Sequence, residues 1–167
     1  MSATDYFLDM KAEGINGESI DEKHKDCIDV LSYSWGATNT GTAAYGGGTG
    51  SGKVNLNDFH FTMKVNKASP KLLLWCAQGK MIKECKFFTR KTVGDDTSED
   101  YQIYTFKEVM VTSFQTGAGG GGDPIPTESI SFNCTEVEYE YKVQNNQNKL
   151  ENGPKAKLNT KLNKHTA

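Results

Sequence analysis

The 167-residue sequence is poor in what most function classes need. Its histidines (His24, His60, His165) do not stand at ligand spacing to one another or to the four cysteines (Cys27, Cys76, Cys85, Cys134), and no C-x-x-C pair occurs. No metal centre is expected from such a pattern. No apolar run approaches the ~20 residues that a membrane helix requires, so no membrane insertion is expected. The net charge of −2 leaves the whole domain without an electrostatic footprint for nucleic acid. The N-terminal residues MSATDYFLDMK lack a basic start followed by an apolar stretch, so no Sec-type signal peptide is read there. Without C-x-x-C spacing, the cysteines read as buried free thiols in a reducing compartment.

Catalytic signatures are equally scarce. Glu136, Glu138 and Glu140 alternate with Val137, Tyr139 and Tyr141, which is the pattern of a strand's wet face and not of a convergent acid–base pair. His24, inside the charged stretch Asp21–Asp26, reads as a solvated loop histidine. One stretch, Gly47-Gly48-Thr49-Gly50-Ser51-Gly52-Lys53-Val54, matches the G-x-x-x-x-G-K spacing of a phosphate loop. It fails chemically, because Val54 stands where Ser or Thr would hold magnesium. It fails structurally as well: residues from Val54 alternate like a strand, and the cradle depends on helix N-terminal amides aimed at the phosphates. A nucleotide hydrolase rests on this stretch alone, and no cofactor is expected.

What is abundant is strand signal. Tyr6, Leu8, Met10 and Ala12 alternate with polar neighbours, apart from Phe7. A second strand is predicted over Ile28–Trp35, with Leu31, Tyr33 and Trp35 on its apolar parity. Three longer candidates follow, Val54–Val65, Ile103–Phe114 and Glu128–Val143. Each begins apolar on one parity and ends apolar on the other, across Leu56-Asn57-Asp58-Phe59, Phe106-Lys107-Glu108-Val109 and Cys134-Thr135-Glu136-Val137. A flat strand with one buried face cannot do this, since side chains alternate with period two. A bulge or bend at each junction moves the inward set across. The expectation is a mainly β protein, a compact β-barrel of two packed antiparallel sheets whose strands turn corners.

One short α-helix is expected at about 70–78. Ser69 is read as its N-cap, Pro70 as its first residue and Gly79 as its stop. Its apolar stripe is read as Leu73, Cys76 and Ala77, joined by Leu72 and Trp75. Glycine-dense segments at 41–52 and 117–122 separate strand candidates and lower local order. Residues 1–145 read as one domain. Residues 146–167 read as a polar basic C-terminal tail, a solvated end that keeps enough alternation for a last short strand. From Lys142 onward, six lysines face one glutamate, a local charge of +5.

Several stretches in order resemble one family. They are Tyr6–Met10, Gly17-Glu18-Ser19, Asp26–Gly36, Gly46–Gly48, Phe59–Thr62, Ser69–Leu74, Ala77–Lys80, Phe106–Val111 and Thr127–Phe132. Over roughly residues 5–145 the sequence is similar to haemolysin-coregulated protein (Hcp), the inner-tube protein of bacterial type VI secretion systems. The resemblance implies a structural protein and not an enzyme, a homohexamer whose rings stack into a tube. It implies as partners a contractile sheath, the spike protein VgrG at the tip, and small effector proteins held in the lumen. It also implies residence in the bacterial cytoplasm before assembly and export through the type VI system.

Carried onto this chain, the resemblance places a ring-stacking loop at Ala37–Lys53, with Tyr45, Gly46, Gly47, Gly48, Gly50, Gly52 and Lys53 as its contact residues. The polar parity of the strands then supplies the lumen and effector contacts: Ser32, Ser34, His60, Thr62, Lys64 and Thr112. The competing reading is a monomeric β-barrel that binds a small ligand.

Overall fold

The computed structural model describes residues 4–39, 53–93, 97–121 and 125–167. Twelve strands and one helix run in the order β1 (Thr4–Asp9), β2 (Ile28–Val30), β3 (Ser32–Ser34), β4 (Ala37–Asn39), β5 (Val54–Leu56), β6 (Phe59–Lys64), α1 (Ser69–Gln78), β7 (Met81–Val93), β8 (Thr97–Gly117), β9 (Thr127–Asn133), β10 (Glu136–Gln144), β11 (Leu150–Asn159) and β12 (Lys164–Thr166). All pairings are antiparallel. One ten-stranded sheet follows the order β12-β11-β10-β8-β7-β1-β2, with β3, β6 and β9 branching from the far half of β8; β4 and β5 form a separate two-stranded sheet.

The branching is a consequence of the parity swaps. Along β8, Tyr104 and Phe106 are buried, then Val109 and Val111, so the inward set changes parity across Lys107 and Glu108. There β8 changes partners, from β10 (Lys107 opposite Glu136) to β9 (Met110 opposite Asn133). Glu108 turns the corner with φ of +53°, a left-handed conformation that costs a non-glycine residue on the order of 1–3 kcal/mol. Its carboxylate is held in return by the Thr135 hydroxyl at 2.5 Å and by Lys161 at 3.9 Å. The other two expected junctions are breaks between elements: Asn57-Asp58 separates β5 from β6, and Cys134-Thr135 separates β9 from β10.

Two more swaps escaped the sequence reading. In β7 the buried set passes from Ile82 to Cys85, Phe87 and Thr89. Between β2 and β3 it passes from Ile28 and Val30 to the core-packed Tyr33 and Trp35. Leu31, expected on the apolar parity, is instead half exposed, because its N–H is donated to Thr62 O at the crossing from β1 to β6. The bends converge on one aromatic core. Phe59 lies 5.1 Å from Phe87, 5.2 Å from Phe106 and 5.0 Å from Phe132 between ring centroids, and all four are fully buried.

Helix α1 begins one residue earlier than its expected start, with Ala68 and not Ser69 at the N-cap. Ser69 donates its hydroxyl to Glu128 of β9, which is buried, and this pins the helix start to the sheet. That contact turns Ser69, Leu72 and Trp75 inward, so Leu73 and Ala77, expected in the stripe, face out. Gly79 ends the helix at φ +61°, in the left-handed region that glycine enters without a Cβ clash.

The C-terminal residues are largely exposed but go beyond the one short strand their alternation allowed, forming two. β11 pairs with β10 from Leu150 to Asn159, and β12 pairs with β11. Lysine–glutamate contacts across that ladder, Lys155 with Glu138 and Glu140 and Lys157 with Glu138, lie at 3.7–4.0 Å.

His24 is not a solvated loop residue either. It is 5% exposed, sandwiched between Phe7 and Phe88, and its Nε2 donates to Asp100 Oδ1 at 2.8 Å. The loop carrying it is latched to β7 by Arg90, which reaches Asp21 at 2.5 Å and Asp5 at 2.9 Å and lies over the Phe7 ring. Gly17 lets this loop pass the strand that follows it: a Cβ there would stand 2.3 Å from Cys27 O.

Burial pushes the Asp21 carboxyl up, but the Arg90 guanidinium and the N–H groups of His24 and Lys23 outweigh it and hold the group below its ordinary 3.8. A carboxylate with a depressed folded pKa stabilises fully above its unfolded value and loses that contribution as pH falls through the folded one. Asp21→Asn is therefore expected to cost about 1–2 kcal/mol at pH 7, a charge-assisted bond discounted for partial exposure. The difference from wild type should shrink below pH 3.8, as read by urea unfolding across pH 2–7.

Candidate functional site

The exposed face of the β3-β6-β9-β8 sheet is built by strand register. Its first row is Ser34, His60, Ser131 and Ser113, of which Ser131 is buried beneath its neighbours at 2% exposure. The second is Ser32, Thr62, Ser129 and Gln115, and the third is Lys64, Thr127 and Gly117. On the reverse side of the same strands stand Phe59, Phe61, Ile130 and Phe132, so the alternation that fills the core also sets out the hydroxyls.

The rows are cross-linked. Ser32 Oγ and Thr62 Oγ1 lie 2.6 Å apart, and Ser113 Oγ and Ser131 Oγ 2.5 Å apart. Thr112 occupies the irregular position in β8 between Val111 and Ser113. Its Oγ1 donates to Asp58 Oδ2 at 2.8 Å and lies 2.9 Å from Ser131 Oγ. A bulge thus delivers a residue of the wrong register to the same surface. Two shallow depressions open on this face. One, of about 160 Å³, runs between Ser32, Ser34, His60, Thr62 and Ser129, and the other, of about 370 Å³, between Ser34, Asn57, Asp58 and His60.

All six residues expected on the polar parity, Ser32, Ser34, His60, Thr62, Lys64 and Thr112, are brought together on this one face. Ser113, Gln115, Thr127, Ser129 and Ser131 also belong to it and were missed. The alternation in Thr127–Phe132 carried the signal for the last three. Of the loop residues, Tyr45, Gly46, Gly47, Gly48, Gly50 and Gly52 lie outside the described residues. Lys53 is exposed and directly precedes β5, a strand where a phosphate loop would need a helix.

Among the described residues, no group of three or more His, Cys, Asp or Glu side chains is placed to hold a metal ion. The cysteines are free. Burial pushes the Cys27 thiol up to about 11 and the Cys134 thiol up to about 12, with Asp9 adding to the first and Asp58 to the second. Cys85 is raised likewise by burial. Thiols so shifted are poor nucleophiles at neutral pH.

The fold and face define a mainly β protein with one α-helix and a hydroxyl-rich sheet surface. Comparison with known proteins specifies the family. The family model described as "Type VI secretion system effector, Hcp" matches residues 9–141. Protein hcp1 of Pseudomonas aeruginosa PAO1 is 40% identical over 152 residues, which cover 91% of each chain. A solved type VI secretion system protein superposes with a TM-score of 0.87 at 30% identity, over 98% of this chain and 100% of its own. Hcp1 of Salmonella typhimurium gives 0.79 at 30% identity, over 98% and 99%. This chain belongs to the Hcp family. It has that family's general role as a tube component of type VI secretion, among the other parts of that system, and it is not an enzyme.

Proposed function

We propose that six copies of this chain close into a ring, that rings stack into a tube, and that the β3-β6-β9-β8 face lines its lumen and carries small effectors. The observation that carries this reading is the gathering of three rows of hydroxyl and polar side chains on one face. Among the described residues, the exposed large apolar side chains beside these rows are Leu31 and Val65, next to Lys64 at one end. A hydrated lining of this kind holds a passenger through many weak contacts and lets it go, whereas an apolar patch would retain it.

In this reading each subunit works as a compact barrel. The continuous segment 28–34 is its seam, pairing with β1 through β2 and with β6 through β3. The segment Tyr45–Lys53 makes the contact to the adjoining ring. VgrG at the tip and the contractile sheath around the tube are the remaining partners. The chain waits in the bacterial cytoplasm and leaves through the type VI system.

Light scattering on the purified protein tests the ring directly. The expected particle has the mass of six 18.4 kDa chains and a central hole in negative stain. A single-chain mass at every concentration refutes the ring and favours a monomeric ligand-binding barrel.

Deleting Tyr45–Gly52 is expected to leave rings intact while abolishing stacked tubes and secretion; unaffected tubes remove this loop from the stacking contact. Ser34→Trp, on the exposed side of β3, is expected to leave rings and their unfolding midpoint unchanged and to lower co-purification of effectors. Normal loading removes Ser34 from the lining.

A further inference from the structure

The most exposed large apolar side chain among the described residues is Ile20, 97% exposed. It does not sit on a loose loop. Asp21 beside it is tied to Arg90, Lys23 Nζ donates to Ser98 O at 2.9 Å, and Ser19 and Asp26 exchange backbone bonds with their surroundings. Together with the buried His24, these contacts hold Ile20 out as a preformed apolar knob between two carboxylates, Glu18 and Glu22. The N-terminal thirty residues carry eight carboxylates against three lysines, a local charge of −5.

At the opposite end of the long ladder, six interstrand steps away from β2, the charge reverses to +5 from Lys142 onward. There a groove of about 330 Å³ lies over β8, β10, β11 and β12, with Leu162, 70% exposed, at its apolar side. Lys107, Lys157 and Lys164 line it. Two acids line it as well: Glu138 pairs with Lys155 and Lys157, and Glu136 accepts from the uncharged Asn159 Nδ2 at 2.9 Å, so the three lysines leave the lining with a net charge of +1. Lys107 and Lys164 have no ion-pair partner among the described residues.

We infer that the acidic knob of one copy of this chain seats in the basic groove of the next. A carboxylate-flanked isoleucine meets a lysine-rimmed groove with a leucine at its side, so charge and polarity match at once. The contact is heterologous, since knob and groove are different patches at opposite ends of one sheet, and such a contact propagates head to tail and closes when its rotation permits. A two-fold pairing of either patch with itself would set like charges together. The inference rests on the ring reading above and names the surfaces that would make the ring.

Mass photometry across a dilution series in 50–500 mM NaCl, with circular dichroism as the fold control, tests it. Ile20→Glu, Glu22→Lys and Lys164→Glu are each expected to raise the concentration at which rings fall apart at least ~10-fold. Glu22→Lys and Lys164→Glu combined in one chain restore the complementarity with reversed sign, and ring stability should return to within about threefold of wild type. Wild-type rings should also weaken as salt rises. Folded variants whose rings match wild type at every dilution overturn the knob-and-groove contact and leave the ring reading standing. A double variant no more stable than its single parents likewise overturns the charge pairing. A wild-type chain that is monomeric throughout overturns the ring reading and this inference together.

Discussion

Everything in this molecule depends on strands that bury one parity of side chains before a corner and the other parity after it. Phe106 and Val109 cannot both face inward along a straight strand, because they are three residues apart and a flat strand sends odd-spaced residues to opposite sides. Both are fully buried, so β8 must break its register between them, and Glu108 does so in a left-handed conformation. The compensation for that strain is local. A threonine from the β9–β10 junction and a lysine from beyond β11 both reach the Glu108 carboxylate. The corner of one strand is thereby tied to the corner of its neighbour, and the bends stay aligned across the sheet. Aligned bends let β8 serve two partners in succession, and they wrap the sheet around four phenylalanines from β6, β7, β8 and β9.

How much of this was legible in the residues follows from the same rule. Three swaps were visible because each has a polar pair, Asn57-Asp58, Lys107-Glu108 or Thr135-Glu136, set between unambiguous apolar runs. The swap in β7 was hidden, since Met81, Phe88 and Val93 lie on or near the apolar parities and blur the alternation; the strand itself went unread for that reason. The swap at Leu31 was hidden because an aliphatic residue stands on the outward side, where its N–H and not its side chain is what the fold uses. The β11 strand was obscured by composition. Residues Leu150–Asn159 hold two lysines, a proline and a glycine, and their pairing depends on the glutamates of β10, a partner that local propensity does not register. His24 misled in the same way: charged neighbours in sequence suggested water, while its partners, Phe7, Phe88 and Asp100, come from three other elements.

The candidate site was easier to read than the core because it needs only the outward parity of the same strands. Ser32, Ser34, His60, Thr62 and Lys64 were separable from Tyr33, Phe61 and Met63 by alternation alone. What one strand cannot reveal is its neighbour. That β9 lies between β6 and β8, and so adds Thr127, Ser129 and Ser131 to the face, is a property of long-range pairing. Nor does alternation foresee Thr112, which joins the face only because β8 is irregular there and its hydroxyl finds Asp58 and Ser131.

Core, face and charge distribution then divide the work among different parts of one chain. The middle strands are two-sided, apolar within and hydroxylated without, and their outward side is chemically mild: short side chains, mutual hydrogen bonds and little charge. Net charge differs along the chain, acidic over the N-terminal thirty residues and basic from Lys142 onward. A protein that used its middle strands for strong association would need apolar or charged groups where the serines stand. One that used its ends weakly would have no reason to hold an isoleucine 97% exposed on a latched loop. In the proposed ring with its lumen, the chain separates a mild surface for transient contact from charged and apolar surfaces for lasting contact, which a repeating assembly needs.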